Sequence, residues 1–115
     1  MIITRIDRGP RLSQAVVHGN TVYLAGQVGA PGASVTEQTR AILAQVDDLL
    51  AKAGSSRKHL LTAMVLLTDI GDFAEMNAVW DTWVADVGAP TRATFEAKLS
   101  EPLLKVEIVI TAAKA

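Results

Sequence analysis

The chain has 115 residues and a formal net charge of −1; half of its residues are hydrophobic and a fifth are charged. Those proportions give one domain, residues 1–115, with enough apolar surface for a core, and they exclude disorder. The absence of cysteine removes disulfides, thiolate nucleophiles and Cys-based metal sites. The absence of a basic block argues against a dedicated nucleic-acid or anionic-membrane binder.

Residues 2–6 read as a short strand. Ser13 to His18 and Thr21 to Gln27 are two further strands, joined at Gly19-Asn20. Both turn residues tolerate positive φ, so a tight hairpin is expected. A loop, Gly29 to Ala33, precedes a helix. Ser34 and Glu37 fit a capping box. Ile42, Leu43, Val46, Leu49, Leu50 and Ala53 then recur at helical spacing, and Gly54 stops the helix. Gln38, Gln45, Asp48 and Lys52 are assigned to its solvated face.

The apolar run Leu60 to Leu67 is too short for a typical helix and is followed by Asp69 and Gly71, so it reads as a central strand. A second helix follows, capped by Asp72 with Glu75 at N3. Its stripe is Phe73, Met76, Trp80, Trp83 and Val84, and Gly88-Ala89-Pro90 ends it. Arg92 to Leu99 and Leu104 to Ala112 close the chain as a hairpin around Ser100-Glu101-Pro102.

The predicted order is βββ-α-β-α-ββ, an α+β layer of about six strands with two helices on one face. Several strands are apolar on both sides, so the uncovered face needs a partner. A second copy of the chain, in a closed homo-oligomer, is the simplest cover. No membrane partner is expected, because no run approaches the ~20 apolar residues of a spanning helix. Met1 to Arg5 lacks a signal-peptide run, and a cytoplasmic protein is expected.

Arg92 and Glu107 are the candidates for chemistry. Val106, Ile108 and Ile110 need the helix-covered core, so Glu107 should point to the other face. Partial desolvation there suits a carboxylate to proton transfer. An arginine in the same region offers a planar fork for a substrate carboxylate. A structural ion pair between strands or subunits would use the same two residues. Asn77 stands at the edge of its helix stripe. Trp80 and Trp83 read as core or interface anchors. His18 and His59 are isolated, and no metal ligand set is evident. Gly26, Gly29 and Gly32 do not spell a phosphate-binding loop.

Taken together, several segments resemble one family. They are V-x-x-G-N-T-V-Y-L-A-G-Q (Val16 to Gln27), Q-T-R (Gln38 to Arg40), L-x-x-A-G (Leu50 to Gly54) and L-x-D (Leu67 to Asp69). Next come F-x-x-M-N-x-x-W (Phe73 to Trp80), P-x-R-A-T (Pro90 to Thr94) and K-V-E-I (Lys105 to Ile108). In order and spacing they are similar to the Rid (YjgF-like) proteins, reactive-intermediate deaminases also known as endoribonuclease L-PSP. The resemblance covers nearly the whole chain. It implies a chorismate-mutase-like fold and a homotrimer with a central barrel and ligand clefts between subunits. It also implies hydrolysis of enamine and imine intermediates of the 2-aminoacrylate type to 2-keto acids and ammonia, with no metal and no organic cofactor. By that resemblance Arg92 binds the substrate carboxylate and Glu107 activates water. Asn77, Thr94, Ala25 and Gly26 line the site.

Four positions depart from the family's pattern. Leu12 stands where many deaminases carry tyrosine, Ala25 replaces serine, Thr94 replaces cysteine and Val109 replaces a second glutamate. Leu12 and Ala25 each remove a hydrogen-bond donor. The altered shell leaves two other readings open: a trimer that binds a small carboxylate or keto acid without turnover, and a specialised hydrolase or isomerase of a degradation pathway.

Overall fold

A computed structural model describes residues 1–115. Its strands are β1 (Ile3–Arg8), β2 (Ser13–His18), β3 (Thr21–Leu24), β4 (Gln27–Val28), β5 (Leu60–Leu67), β6 (Thr91–Glu96) and β7 (Val106–Ala113). The helices are α1 (Val35–Lys52) and α2 (Phe73–Val84). They form one mixed sheet in the order β1-β2-β3-β7-β5-β6, with β4 also paired to β7. Neither helix is long and apolar enough to cross a membrane.

The local signals hold at several places. Gly19 alone of the two hairpin residues has positive φ, 61°, as in turns that put glycine first. Ser34 caps α1 and accepts from the Glu37 amide at 3.1 Å, while the Glu37 side chain accepts from the Ser34 amide. Leu60 to Leu67 is a central strand, flanked by β6 and β7.

The closing hairpin is not formed. β6 pairs parallel with β5, and β7 pairs antiparallel with the other edge of β5. Parallel neighbours need a crossover, and α2 supplies it between β5 and β6. The loop 97–105 therefore steps across the end of β5. The strand expected over Thr21 to Gln27 is also two strands. It breaks at Ala25-Gly26, and β4 resumes on the same edge of β7. This gives seven strands in place of about six.

Val106, Ile108, Ile110 and Ala112 of β7 alternate inward against α1 and α2, joined by Ala63, Val65 and Leu67 of β5. The sheet's other face has no cover within the chain. On it Tyr23, Met64 and Phe95 are 48%, 42% and 44% exposed.

Two helix assignments are corrected. Gln38 is not on the solvated face of α1; it is fully buried. Its Nε2 donates to the carbonyls of Ala33 at 2.9 Å and Leu103 at 3.1 Å, and its Oε1 accepts from the Lys105 amide at 2.9 Å. It thereby ties α1 to the loop that delivers β7. Asp72 makes no side-chain cap on α2. Glu75 instead reaches across to the first turn of α1 and accepts from the Thr36 amide and hydroxyl, both at 2.9 Å.

Those Thr36 bonds hold the Glu75 carboxyl below its ordinary value of 4.5, the hydroxyl first and the amide second. A depressed folded value means the contribution is present above the unfolded pKa and is lost as pH falls through the folded one. Glu75→Gln should therefore lower the melting temperature at neutral pH. The gap to wild type should close on acidification below the ordinary carboxylate value of 4.5. A gap that stays constant down to strong acid would contradict the cross-helix cap.

Candidate active site

Strand register decides where each candidate side chain points. Ala63 pairs with both Arg92 and Ile110, so Arg92 lies on the helix-covered face. Leu66 pairs with both Phe95 and Glu107, so Glu107 lies on the open face. Glu107 is where alternation in β7 puts it. Arg92 is not in its company: within one chain the two sit on opposite faces, with β5 between their strands. They form no ion pair with each other, since the salt bridges are Lys52–Asp7 and Arg57–Asp47. The candidate residues thus divide into two clusters.

The first cluster surrounds Arg92, on the edge strand β6. Its Nη1 donates to Asn77 Oδ1 at 2.7 Å. The guanidinium lies over the Trp80 ring at 5.4 Å and the Phe73 ring at 5.6 Å. Phe73, Asn77 and Trp80 follow at spacings of four and three, so successive turns of α2 present them to one side. Phe73 is consequently not core: it is 42% exposed beside Arg92. Aromatic faces and an amide carbonyl orient a guanidinium without neutralising it. Arg92 has no carboxylate partner in the chain, and the bond to Asn77 is the one side-chain hydrogen bond it makes. Thr94, two residues on and on the same face, has a buried hydroxyl oxygen with no hydrogen-bond partner.

The second cluster surrounds Glu107. Its carboxylate lies directly over the backbone of Gly26. A β-carbon at Gly26 would meet Glu107 Cδ at 2.9 Å and overlap the carboxylate oxygen. Glycine is needed here for close approach, and the break between β3 and β4 makes the room. The Ala25 amide donates to the Gln14 carbonyl at 2.8 Å. Gln27 Nε2 donates to Gln14 Oε1 at 2.9 Å and to the Ala25 carbonyl at 3.0 Å. Ala25, Gly26 and Glu107 therefore belong together. Leu12 lies two residues before Gln14, in the β1–β2 turn, where its carbonyl accepts from the Gly9 amide at 2.8 Å.

The tryptophans act mainly as anchors. Their ring centroids are 5.5 Å apart. Trp83 Nε1 donates to Asp47 at 3.1 Å, and Asp47 also takes Arg57 in a two-pronged pair at 2.6 and 3.1 Å. That arginine is neutralised, unlike Arg92. Phe73 is the site residue that stripe reading wrongly assigned to the core, while Trp80 is buried in the core as read and also lies under Arg92. Their spacing with Asn77 was the available signal.

Known proteins are similar to the chain along nearly its whole length. The family model described as endoribonuclease L-PSP matches residues 3–114. The chain belongs to the endoribonuclease L-PSP family. A RutC family protein of Haemophilus influenzae is 47% identical, over 97% of this chain and 98% of its own. The crystal structure of a YjgF-family member from Neisseria meningitidis superposes with a TM-score of 0.97 at 46% identity, covering 100% of this chain and 97% of that one. A goat protein named 2-iminobutanoate/2-iminopropanoate deaminase is 33% identical over 73% of this chain and 66% of its own length. The L-PSP family therefore includes imine deaminases, while the H. influenzae relative carries only a family name.

Proposed function

We propose that this L-PSP-family chain hydrolyses reactive imines and enamines of α-amino acids to 2-keto acids and ammonia. The reaction would occur in clefts between copies of the chain, in a closed trimer. The observation that carries this reading is Arg92, an oriented guanidinium with no carboxylate partner. Such a group suits a substrate carboxylate, taken through two parallel N–H···O bonds. The name of the goat relative supports the reaction class.

Arg92 and Glu107 lie on opposite faces of one sheet, so a single chain cannot apply both to one small molecule. Arg92 sits on an edge strand, and the face bearing Glu107 is apolar and uncovered. Packing the edge of one copy against the open face of the next would bring the two clusters together.

In the joined cleft Arg92 holds the carboxylate beside the C=N carbon. Glu107 accepts a proton from water as its oxygen bonds to that carbon. With the substrate entering as its iminium tautomer, Glu107 returns that proton to the carbinolamine nitrogen and takes up the hydroxyl proton as the C–N bond breaks, so that ammonia leaves, the C=O of the keto acid forms and the last proton passes to solvent. The Thr94 hydroxyl offers a further donor beside Arg92.

The test is ammonia release from enzymatically generated 2-aminoacrylate, read as acceleration over the solvent background. Glu107→Gln should lower kcat by about 100-fold or more. Arg92→Ala should lower kcat/KM by roughly 100-fold, the worth of two charge-assisted hydrogen bonds. No acceleration by wild type on any imine would overturn catalysis in favour of carboxylate binding alone.

A further inference from the structure

Three arginines outside both clusters share one pocket. Strand alternation would put Arg5 and Arg8 on opposite faces of β1. Both nevertheless line a solvent-open surface cavity of about 610 Å³ with Arg11, Leu12 and Ser13. Asp7, between them, has φ 51° in the left-handed region, which aspartate tolerates. This kink explains how Arg8 comes round to the same cavity. Lys52 holds the Asp7 carboxylate at 3.1 Å, pinning the kink to the end of α1 and engaging the one acidic side chain in that strand. Neither ion pair of the chain involves Arg5, Arg8 or Arg11. In a chain of net charge −1, three uncompensated guanidiniums at one cavity are a concentration of positive charge.

The β1–β2 ladder links the cavity to the Glu107 cluster. Arg8 pairs with Ser13 across the β1–β2 ladder. The next residue, Gln14, holds Ala25 and Gln27, on either side of the glycine that carries the Glu107 carboxylate. Arg5 also shares the face of Glu107. Arg5, Val16, Tyr23 and Thr111 are direct partners in one row across β1, β2, β3 and β7, and Thr111 alternates in step with Glu107.

We propose that Arg5, Arg8 and Arg11 bind a second anionic group on the substrate, so that the preferred substrates are imines of dicarboxylic amino acids. The inference rests on the proposed function for the reacting end. Arg92 takes the carboxylate beside the imine carbon, and Glu107 acts at that carbon. The substrate side chain runs past Leu12 to the arginine cavity, where the planar forks match a carboxylate. Leu12, at the position of the family's tyrosine, gives the connecting methylenes an apolar wall.

The test is calorimetric titration with two product-like keto acids, 2-oxoglutarate and pyruvate. Wild type, the triple variant Arg5→Ala/Arg8→Ala/Arg11→Ala, and Arg92→Ala would be compared. Wild type should bind 2-oxoglutarate at least about tenfold more tightly than pyruvate, consistent with one added charge-assisted contact. The triple variant should bring the two affinities together, and added salt should weaken the wild-type preference. Equal affinities in wild type, or a preference that survives the triple substitution, would overturn the second anion site. Arg92→Ala distinguishes the underlying reading: if it weakens neither acid, the carboxylate clamp fails, while the preference still reports on the three arginines. All three side chains are exposed, so folding is not at stake in the triple variant.

Discussion

An equimolar mixture of Arg92→Ala and Glu107→Gln chains, unfolded and refolded together, is expected to recover about a quarter of wild-type deaminase activity, from random assortment of copies around a closed ring. Each variant alone should be near background. The reason is the register. Leu66 aligns with Glu107, whereas Ala63 aligns with Arg92, so the two side chains leave opposite faces of the sheet. If a cleft takes its arginine from one copy and its glutamate from the next, half of the copies supply an intact arginine and half an intact glutamate. Their product sets the fraction of restored clefts. Simple mixing of folded variants, without exchange of copies, should restore nothing. Failure of the refolded mixture to exceed its parents, with mixed oligomers demonstrated by mass, would place both functions within one chain and discard the shared cleft.

Gln38→Leu should be strongly destabilising although it lies outside the candidate site, lowering unfolding free energy by about 3 kcal/mol. Leucine keeps the volume roughly constant, so the effect isolates three hydrogen bonds. The Lys105 amide loses its acceptor, and the Ala33 and Leu103 carbonyls lose a donor. For a domain of this size the melting temperature should fall by roughly 10 °C. Denaturant unfolding at constant m-value checks the figure. A loss below about 1 kcal/mol would mean that water replaces the amide at little cost. Val106 and Glu107 follow Lys105 directly, so the same substitution should also loosen the strand that carries the proposed base. Its kcat should fall while its KM changes little.

The candidate residues were legible individually, but their grouping was not. Glu107 could be assigned to the open face because Val106, Ile108 and Ile110 claimed the core by alternation. Arg92 could not be assigned in the same way. Its strand, Thr91–Glu96, alternates Ala93 and Phe95 with Arg92, Thr94 and Glu96, which by itself would turn the apolar pair to the core; pairing with β5 does the reverse, leaving Phe95 exposed and turning Arg92 and Thr94 inward. A one-residue change in register exchanges the two faces of a strand. Glu75 and Gln38 were misread for a related reason. Helix periodicity marks apolar positions, but it gives no sign when a polar side chain finds a partner on a distant segment.

The sequence by itself determined the elements. The capping box at Ser34, the glycine turn at Gly19 and the apolar run Leu60 to Leu67 are local features. Their energies lie within a few residues of chain, so a linear reading finds them. Only the tertiary structure decided the neighbours. It set β5 between β6 and β7, placed Arg92 and Glu107 back to back, opened the β3–β4 break over which the carboxylate lies, and gathered Arg5, Arg8 and Arg11 around one cavity. Those outcomes depend on which strand edges and buried groups satisfy one another across the whole chain. That choice is made by the packing of the sheet against its two helices.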